Sequence, residues 1–431
     1  MNQLEIRPIR KLEAEFSVPG DKSVSHRGIM LGGLATGTTR LRGFLPGEDC
    51  LSTLHALQAL GCRIDRVAPD EVLIEGRGGK LLAPAEPIDC GNSGTTMRLL
   101  SGVVAGFPFT TRLFGDASLS RRPMGRIAEP LRQFGAEILC EGSGDRPPLT
   151  IRGAPLQAIQ FTSQVASAQV KSCVLLAALQ ARGKTTFTEP TLSRDHTERL
   201  FPAFGASFRT ENRSLILHGP QRLEATELDV PGDFSSAAFW MVLAASLPGA
   251  KLTLRRVGLN PTRTALLSAL LRMGAGLVEK VEQSTPEPFG TITIQGNTAL
   301  KATTISGKEI PNLIDEIPIL ATAAAFAKGI TEIRDASELR HKESDRLAVV
   351  AQNLRLFGVP VEEKPDGLLI EGGCTLVGAE VESHGDHRIA MSAAILGLLA
   401  KGRTLVKDTA CIETSYPGFA QQIALLQEVS R

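Results

Sequence analysis

The chain has 431 residues, of which 42% are hydrophobic and 22% charged, a length that suits two domains of roughly 200 residues with separate cores. Its 47 Lys and Arg against 46 Asp and Glu leave a formal net charge of +1, so there is no whole-chain field to attract nucleic acid or a membrane surface. The hydrophobic stretches fall short of the roughly 20 apolar residues that span a bilayer, which argues against a membrane protein.

The N-terminal stretch and the cysteines bear on location. The stretch MNQLEIRPIRKLEAEF has neither the apolar core nor the cleavage site of a secretory signal. The seven cysteines are scattered and lack CxxC spacing, which favours a reducing compartment over disulfides or a structural zinc site. We therefore expect a cytoplasmic protein without a metal.

Segments of one kind occur six times along the chain. Each has a polar cap, a run rich in Ala, Leu, Val and Ile, a glycine, and a Thr-containing stretch of β character, with about 70 residues from one glycine to the next. The glycines are Gly37, Gly106, Gly183, Gly249, Gly329 and Gly402. A glycine after a helix commonly provides a left-handed C-cap, and alternating apolar residues predict a strand. Each repeat is therefore predicted to be βαβαββ.

A second helix in most repeats also ends at a glycine and runs directly into a strand, as in LQALGCRI and LRLFGVPV. Polar residues such as Arg132, Gln133 and Arg272 predict that this helix faces solvent, whereas the first helix is apolar nearly all round and should be buried. The C-terminal QQIALLQEVS is predicted to be a sixth copy without its glycine.

The phrase Val-Pro-Gly-Asp occurs twice, in SVPGDKSVSHR at 17–27 and in DVPGDFSSAAF at 229–239, which indicates a doubled domain. We predict one domain formed by residues 1–20 plus 234–431 and a second formed by 21–233, with a hinge near 19–23 and 230–234. The expected fold class is α/β (α+β), with two similar domains of three repeats. The repeat alone does not determine where the first strand pairs.

The starts of the six buried helices carry most of the unusual polar residues. Helix N-termini expose unpaired N–H groups and a partial positive charge, so they hold phosphates and carboxylates. Capping alone explains Asp233 with Ser235, because Asp and Ser are good N-caps. Cations at the other starts oppose the helix dipole and therefore predict an anionic ligand. These cations are Lys22, Arg27, Arg98 and Arg388. Three such starts per domain, facing three from the other, would form an anion-binding cleft.

The motifs GDKSVSHR, GNSGTTMR, GDASLSRRPM, SAQVKS, SRDHTE, IDEIPILA, RHKESDRL and DHRIAMS follow one another in a specific order and spacing. With them the chain resembles the 5-enolpyruvylshikimate-3-phosphate synthase family, in the branch that includes glyphosate-tolerant members, from about residue 15 to 420. The resemblance implies two inside-out α/β domains of the enolpyruvyl transferase fold. It also implies transfer of the enolpyruvyl group of phosphoenolpyruvate to the 5-hydroxyl of shikimate 3-phosphate, with release of phosphate.

The resemblance further implies a monomeric enzyme of the shikimate pathway, which leads to chorismate and the aromatic amino acids. It implies no cofactor, no metal, no nucleic-acid partner and no membrane association. The two small-molecule substrates would be its partners.

The resemblance assigns residues to each substrate. For phosphoenolpyruvate they are Lys22, Asn92, Gly94, Arg122, Gln169, Glu343, Arg346 and Arg388. For shikimate 3-phosphate they are Lys22, Ser23, Arg27, Ser167, Ala168, Gln169, Arg194, Asp315 and Lys342. Asp315 would be the base for the 5-hydroxyl and Glu343 the acid for the methylene carbon, while Lys22 would stabilise the leaving phosphate.

One segment and one residue depart from the family's pattern, and a third place in the sequence bears on inhibition by glyphosate. The segment Glu413-Thr414-Ser415-Tyr416-Pro417 lacks a lysine that many members have there, and Ala168 replaces a common serine. Tolerant relatives often carry Ala where this chain has Gly94, which predicts ordinary glyphosate binding here. The histidines in or near the motifs are predicted to be structural.

Two alternative functions are compatible with a repeated α/β chain of this length. The first is a UDP-N-acetylglucosamine enolpyruvyl transferase, which shares the fold; Ser23 after Lys22, and a loop from Ser118 to Pro123 without cysteine, argue against it. The second is a noncatalytic repeat scaffold such as a nucleic-acid clamp, which would show a basic face rather than balanced charge.

Overall fold

The computed structural model describes residues 2–296 and 299–429. In chain order the strands are β1 (Gln3–Ile6), β2 (Glu13–Ser17), β3 (Thr38–Arg42), β4 (Arg63–Ala68), β5 (Glu71–Glu75), β6 (Ile88–Asp89), β7 (Thr110–Phe114), β8 (Glu137–Gly142), β9 (Arg146–Arg152), β10 (Gln160–Thr162), β11 (Gly183–Thr188), β12 (Arg209–Glu211), β13 (Ser214–Gly219), β14 (Glu227–Asp229), β15 (Lys251–Gly258), β16 (Gly276–Gln283), β17 (Phe289–Gln295), β18 (Thr304–Ile305), β19 (Gly329–Ile333), β20 (Val361–Lys364), β21 (Gly367–Gly372), β22 (Glu380–Glu382) and β23 (Thr404–Lys407).

The helices alternate with these strands. They are α1 (Lys22–Leu34), α2 (Glu48–Ala59), α3 (Gly94–Val104), α4 (Gly125–Phe134), α5 (Ala168–Ala178), α6 (His196–Leu200), α7 (Phe234–Ser246), α8 (Ala265–Arg272), α9 (Ile310–Leu313), α10 (Ile317–Phe326), α11 (Arg346–Leu356), α12 (His387–Leu399) and α13 (Phe419–Val429). Among the helices of the described residues, none is long and apolar enough to cross a membrane.

The strands of the described residues form six small sheets, five with four strands and one with three. The sheet β6-β7-β9-β8 shows the common plan: β6 runs parallel to β7, and β9 is antiparallel to both β7 and β8. Because α3 lies between β6 and β7 and α4 follows β7, this repeat is βαβαββ in chain order. The predicted α/β class with repeated βαβαββ units is therefore confirmed.

Three strands are supplied to sheets far from them in sequence. The strand β14 runs parallel to β3, and β2 runs parallel to β15, so the first repeat of each unit takes its initial strand from elsewhere in the chain. The N-terminal β1 pairs antiparallel with β23 in the three-stranded sheet. The last repeat thus departs from the predicted plan, because a strand from the other end of the chain, β1, pairs beside β23.

The chain divides into two compact units. Unit 1 contains the residues up to Pro19, Pro231–Ser284 and the residues from Pro288 on. Unit 2 contains Gly20–Val230 and the short segment Thr285–Glu287. The segment comes from the connection between β16 and β17 and was absent from the prediction, which placed all residues after 234 in one domain.

In each unit three apolar helices form the centre of the core. In unit 1, α7, α10 and α12 contact one another; in unit 2, α3 contacts both α1 and α5. Gly102 allows the close approach of α3 to α5, since a Cβ there would lie 2.2 Å from the backbone oxygen of Cys173. The second helices have exposed faces, as at Arg132 and Arg272. Both predictions of helix burial are confirmed.

The glycine after the first helix has a different role from the predicted one. Helix α1 has Ala35 as its C-cap, and α12 has Ala400, both in extended conformation. Gly37 and Gly402 follow with φ of 98° and 88°, so they turn the chain into the next strand rather than cap the helix. The second set of glycines fits the prediction better, because Gly135 is a left-handed C-cap of α4.

Candidate active site

The start of α1 in unit 2 carries three of the predicted site residues. The Asp21 side chain caps the helix by accepting from the backbone N–H of Val24 at 2.8 Å. Lys22 forms an ion pair with Asp49 of α2, a partner that the prediction did not name. Ser23 contributes its backbone oxygen, which accepts from Arg27 Nη1 at 2.9 Å.

Arg27 is buried, and its hydrogen-bond acceptors are uncharged. Its Nε donates to Thr197 Oγ1 at 2.8 Å and its Nη2 to Ser172 Oγ at 2.7 Å. With the backbone oxygen of Ser23, these bonds use three of the five guanidinium N–H groups. Burial lowers the pKa of Arg27 to about 10, against smaller opposite effects from acidic side chains, of which Glu198 is the largest. Binding of an anionic group to the Arg27 guanidinium would therefore be favourable.

The start of α3 carries a second group of predicted residues. Asn92 donates to Asp116 Oδ2 at 2.7 Å and accepts from Arg122 Nη2 at 2.9 Å. Gly94 is the first residue of α3, and a Cβ there would lie 2.8 Å from Arg98 Nη1 and 3.2 Å from Arg122 Nη1. The helix N-terminus and two arginines thus converge on a place with no side chain in between, which suits a phosphate.

The start of α5 is hydrogen-bonded to α3. Gln169 accepts from Arg98 Nη1 at 2.7 Å and donates to Thr95 Oγ1 at 2.9 Å. Ser167 caps α5, and Ala168 is its first residue. The positive charge of Arg194 contributes to lowering the pKa of Arg27, an effect smaller than that of burial. We call the ten predicted residues of unit 2, with Arg98, the unit 2 cluster.

In unit 1 the predicted residues meet around Asp315. Its Oδ1 lies 3.4 Å from Arg346 Nη1 and 3.7 Å from Lys342 Nζ, and its Oδ2 lies 3.7 Å from Arg388 Nη2. The Asp315 backbone oxygen also accepts from Arg388 Nη1 at 2.9 Å. Glu343 Oε2 accepts from Arg346 Nη2 at 2.6 Å. The structure thus brings together all five predicted residues of this unit.

Arg346 connects these groups to the start of α12. Its Nε donates to Asp386 Oδ2 at 2.8 Å, and its Nη2 lies 3.3 Å from Oδ1 of the same carboxylate. Burial lowers the pKa of the Arg346 guanidinium, but the charges of Asp386, Glu343 and Asp315 outweigh this effect and raise it above the ordinary value. Asp386 also caps α12 through the N–H of Arg388, so one carboxylate positions both arginines.

Arg388 faces a second buried acid. Its Nη1 lies 3.6 Å from Oε1 of Glu316, a fully buried carboxylate that also lies 3.5 Å from Arg263 Nη2 and accepts from Ser235 Oγ. We call the five predicted residues together with Asp386, Glu316 and Arg263 the unit 1 cluster. Its formal charges are balanced, with four cations and four carboxylates.

The prediction missed residues that act on the named ones. Asp49, Asp386 and Glu316 were not assigned to the site, although each contacts a predicted cation. Arg263 was not assigned either, and it pairs with Glu316. Asp386 had a signal in sequence, since it stands two residues before Arg388 at a helix start. Arg263 lies in a loop and has no such signal.

Three histidines in or near the motifs are buried: His26, His196 and His387. His26 Nδ1 lies 2.6 Å from Thr53 Oγ1, and burial, with the charges of Lys22 and Arg27, lowers its pKa well below the ordinary value. His196 Nδ1 lies 2.8 Å from Glu287 of the short segment that joins unit 2. Within residues 2–296 and 299–429, no three His, Cys, Asp or Glu side chains form a group that could hold a metal ion.

Comparison with known proteins bears on the function. Residues 6–423 match the family described as EPSP synthase (3-phosphoshikimate 1-carboxyvinyltransferase). Proteins named 3-phosphoshikimate 1-carboxyvinyltransferase from Akkermansia muciniphila and Gloeobacter violaceus are each 51% identical to this chain, over 98% of its length and 99% and 98% of theirs. A solved structure of EPSP synthase from Acinetobacter baumannii is 45% identical and superposes with a TM-score of 0.87 over 99% of this chain and 98% of that one.

Proposed function

This chain belongs to the EPSP synthase family, and on that basis we propose that its two clusters bind phosphoenolpyruvate and shikimate 3-phosphate and carry out the proton transfers of the reaction. The enzyme transfers the enolpyruvyl group of phosphoenolpyruvate to the 5-hydroxyl of shikimate 3-phosphate and releases phosphate, a step of the shikimate pathway. The convergence of Asp315 and Glu343 on the single guanidinium of Arg346 is the observation that carries the residue assignment.

We assign most of the anion binding to residues of unit 2. Arg122, the Gly94 backbone and Gln169 receive the phosphate of phosphoenolpyruvate at the start of α3. Ser23 and Arg27 receive the carboxylate of shikimate 3-phosphate, to which the remaining N–H groups of Arg27 donate. The 3-phosphate is received by the start of α5 with Arg194. Lys22 and Asn92 complete the set, Lys22 stabilising the leaving phosphate.

We assign the proton transfers of the reaction to two carboxyl groups of unit 1. Asp315 accepts the proton of the 5-hydroxyl as that oxygen attacks the enol carbon of phosphoenolpyruvate, and Glu343 donates a proton to the methylene carbon. The resulting tetrahedral intermediate is noncovalent with respect to the protein. Glu343 then takes a proton back from the methyl group as the phosphate leaves, so the enol ether of the product forms and Glu343 returns to its starting state. Asp315 returns to its own starting state by passing the proton of the 5-hydroxyl to the departing phosphate.

Arg346 contributes to the timing of these steps. Four contacts to carboxylates engage four of its five N–H groups before substrate arrives. The carboxylate of phosphoenolpyruvate, which we assign to Arg346 and Arg388, competes with Glu343 for the same guanidinium. Binding of this substrate would therefore release Glu343 from the guanidinium, and its carboxylate could then take up the proton that it donates to the methylene carbon. Lys342 Nζ lies 3.7 Å from Asp315 Oδ1, and we assign Lys342 to shikimate 3-phosphate.

The test is phosphate release from phosphoenolpyruvate with shikimate 3-phosphate, run beside UDP-N-acetylglucosamine and a reaction without acceptor. We expect release with shikimate 3-phosphate alone, and losses of about 1,000-fold in kcat for Asp315→Ala and Glu343→Gln. Glu362→Gln, an exposed carboxylate of the same unit, is the control and should keep full activity. Turnover by Glu343→Gln at the wild-type rate would contradict the acid assignment.

Three further properties stay predictions. They are the monomeric state, the cytoplasmic location and the hinge near 19–23 and 230–234. Sedimentation at micromolar concentration tests the first, and cell fractionation the second. Small-angle scattering with and without both substrates tests the hinge, because a rearrangement would change the scattering curve.

A further inference from the structure

Helix α5 contains a buried lysine, Lys171, to which the proposed reaction gives no role. Lys171 is only 1% exposed, although it lies in a helix that is otherwise almost entirely apolar. Its Nζ lies 3.0 Å from Glu189 Oε1, 2.7 Å from Glu198 Oε1 and 3.2 Å from the backbone oxygen of Ser193. An ammonium group has three N–H donors, so all three have an acceptor.

These three acceptors belong to one segment, residues 189–198, which connects β11 to α6. Glu189 begins the segment, Ser193 lies in its middle, and Glu198 ends it. Ser193 Oγ also donates to the second oxygen of Glu189 at 2.6 Å. A single ammonium group therefore fixes the segment at both ends and in the middle.

The segment carries two residues that matter for shikimate 3-phosphate. Arg194 follows Ser193 directly, and Thr197 accepts the hydrogen bond from Arg27 Nε. Ser172, the residue after Lys171 on α5, bonds to both Arg27 Nη2 and Thr197 Oγ1, each at 2.7 Å. The ion group is thus continuous with the hydroxyl groups that hold the Arg27 guanidinium.

The charges of Lys171, Glu189 and Glu198 also favour a functional role for this buried group. One ammonium faces two carboxylates, so the group has an excess negative charge that is nearly excluded from water. Burial raises the pKa of Glu198 against the opposing effect of Lys171, and the negative charge of Glu198 in turn raises the pKa of Arg27. A buried ion group is weak evidence for stability, because apolar residues of matching volume often stabilise a fold as well. A role in positioning accounts for it better.

We propose that Lys171 is a positioning residue for shikimate 3-phosphate: through Glu189, Ser193 and Glu198 it fixes segment 189–198 and so holds Arg194 and Thr197 beside the guanidinium of Arg27. This inference rests on the proposed function of the unit 2 cluster. Lys171 acts through these residues and does not itself touch either substrate.

The experiment uses a charge-matched variant, because Lys171→Met alone would leave two buried carboxylates without their cation. The triple variant Lys171→Met, Glu189→Gln, Glu198→Gln removes every charge of the group and keeps its volume. We expect it to fold with a thermal midpoint near that of the wild type. We expect its KM for shikimate 3-phosphate to rise about tenfold and its KM for phosphoenolpyruvate to change less than about twofold.

The control is Gln180→Leu, which removes side-chain hydrogen bonds at the other end of α5, to the backbone oxygens of Val103 and Leu176. It should lower the thermal midpoint without changing the ratio of the two KM values. An unchanged ratio in the folded triple variant would overturn the proposal, as would an equal rise of both KM values. If the triple variant does not fold, Ser193→Ala decides instead, with an expected rise of about threefold in the same KM only.

Wild-type turnover in the same assay separates the two inferences. If the wild type does not use shikimate 3-phosphate, the proposed function is wrong and the positioning role falls with it. If the wild type uses it and the ratio of KM values does not move in the deciding variant, only the positioning role is wrong.

Discussion

Arg27 of unit 2 and Arg346 of unit 1 are both buried within the first two turns of a helix, but their surroundings differ in charge. Arg27 donates to two hydroxyl groups and a backbone oxygen, and burial lowers its pKa to about 10. Arg346 contacts three carboxylates, which raise its pKa above the ordinary value despite burial.

The difference shows two uses of the same side chain. Among the described residues no carboxylate contacts Arg27 directly, so an anionic ligand would give this guanidinium a favourable charge interaction. At Arg346 a ligand must compete with acids already in place, so the gain in binding is smaller, but those acids are held in defined positions. On the proposed assignment, unit 2 is thus suited mainly to anion binding, and unit 1 to proton transfer beside the carboxylate of phosphoenolpyruvate.

The comparison can be tested most strongly at Asp386. Replacement by Asn keeps the oxygen that caps α12 and the side-chain volume, but removes the charge that pairs with Arg346. We expect kcat/KM for phosphoenolpyruvate to fall about 100-fold, because Arg346 and Arg388 lose their common positioning group. The KM for shikimate 3-phosphate should change less than about threefold.

The matched control for this variant is Asp345→Asn. Asp345 caps α11 through the N–H of Ala348, as Asp386 caps α12, but its ionic partner is Arg340. The substitution should change either kinetic constant less than about threefold. Equal losses in the two variants would mean that capping, rather than the charge at Arg346, explains the effect.

The second test is Arg27→Lys. A lysine keeps the positive charge but has no planar fork, so it cannot both bond Thr197 and Ser172 and grip a carboxylate with two parallel hydrogen bonds. We expect the KM for shikimate 3-phosphate to rise about 30-fold and the KM for phosphoenolpyruvate less than about threefold. Arg112→Lys, at an exposed pair with Glu141 in the same unit, should have no effect. A rise shared equally by both substrates would remove the distinction drawn between the units.

Much of the fold was accessible from sequence because its signals are local. The apolar first helices, their polar starts and the caps at Asp21, Ser167 and Asp233 can be read within a few residues. Strand pairing is not local, and for that reason the placement of β14 beside β3 and of β2 beside β15 could not be predicted. The entry of Thr285–Glu287 into unit 2 has the same cause.

The candidate site shows the same division between features that are local in sequence and features that are not. Residues such as Asp315, Glu343 and Arg346 stand in motifs, whereas their effect depends on partners contributed by other segments. Lys171 shows the limit: its partners Glu189 and Glu198 are 18 and 27 residues away, and no periodicity connects them. Glycines after the first helices show a second limit: the pattern predicts the positive φ of Gly37 and Gly402, but not whether the glycine caps a helix or turns the chain into a strand.

The smallest expected effect is that of Gly94→Ala, at the place in unit 2 that we assign to phosphoenolpyruvate. The new methyl group would lie 2.8 Å from Arg98 Nη1 and 3.2 Å from Arg122 Nη1, the ends of two flexible side chains that can shift by a few tenths of an ångström. We expect the KM for phosphoenolpyruvate to rise about threefold and that for shikimate 3-phosphate to stay the same. Inhibition by glyphosate, which is longer than phosphoenolpyruvate, should weaken by about tenfold or more, because less room remains beside the two arginines.

Gly125→Ala provides the matched control for this prediction. Gly125 is also the first residue of a helix in unit 2, and a Cβ there would lie 2.9 Å from another side-chain end, Asp145 Oδ2. It belongs to no part of the unit 2 cluster, so neither KM nor the inhibition constant should change. If Gly94→Ala leaves glyphosate inhibition unchanged at micromolar concentration, the arginines beside Gly94 do not bound the phosphoenolpyruvate site, and the anion-binding role would move to Lys22 and Arg27 at the start of α1.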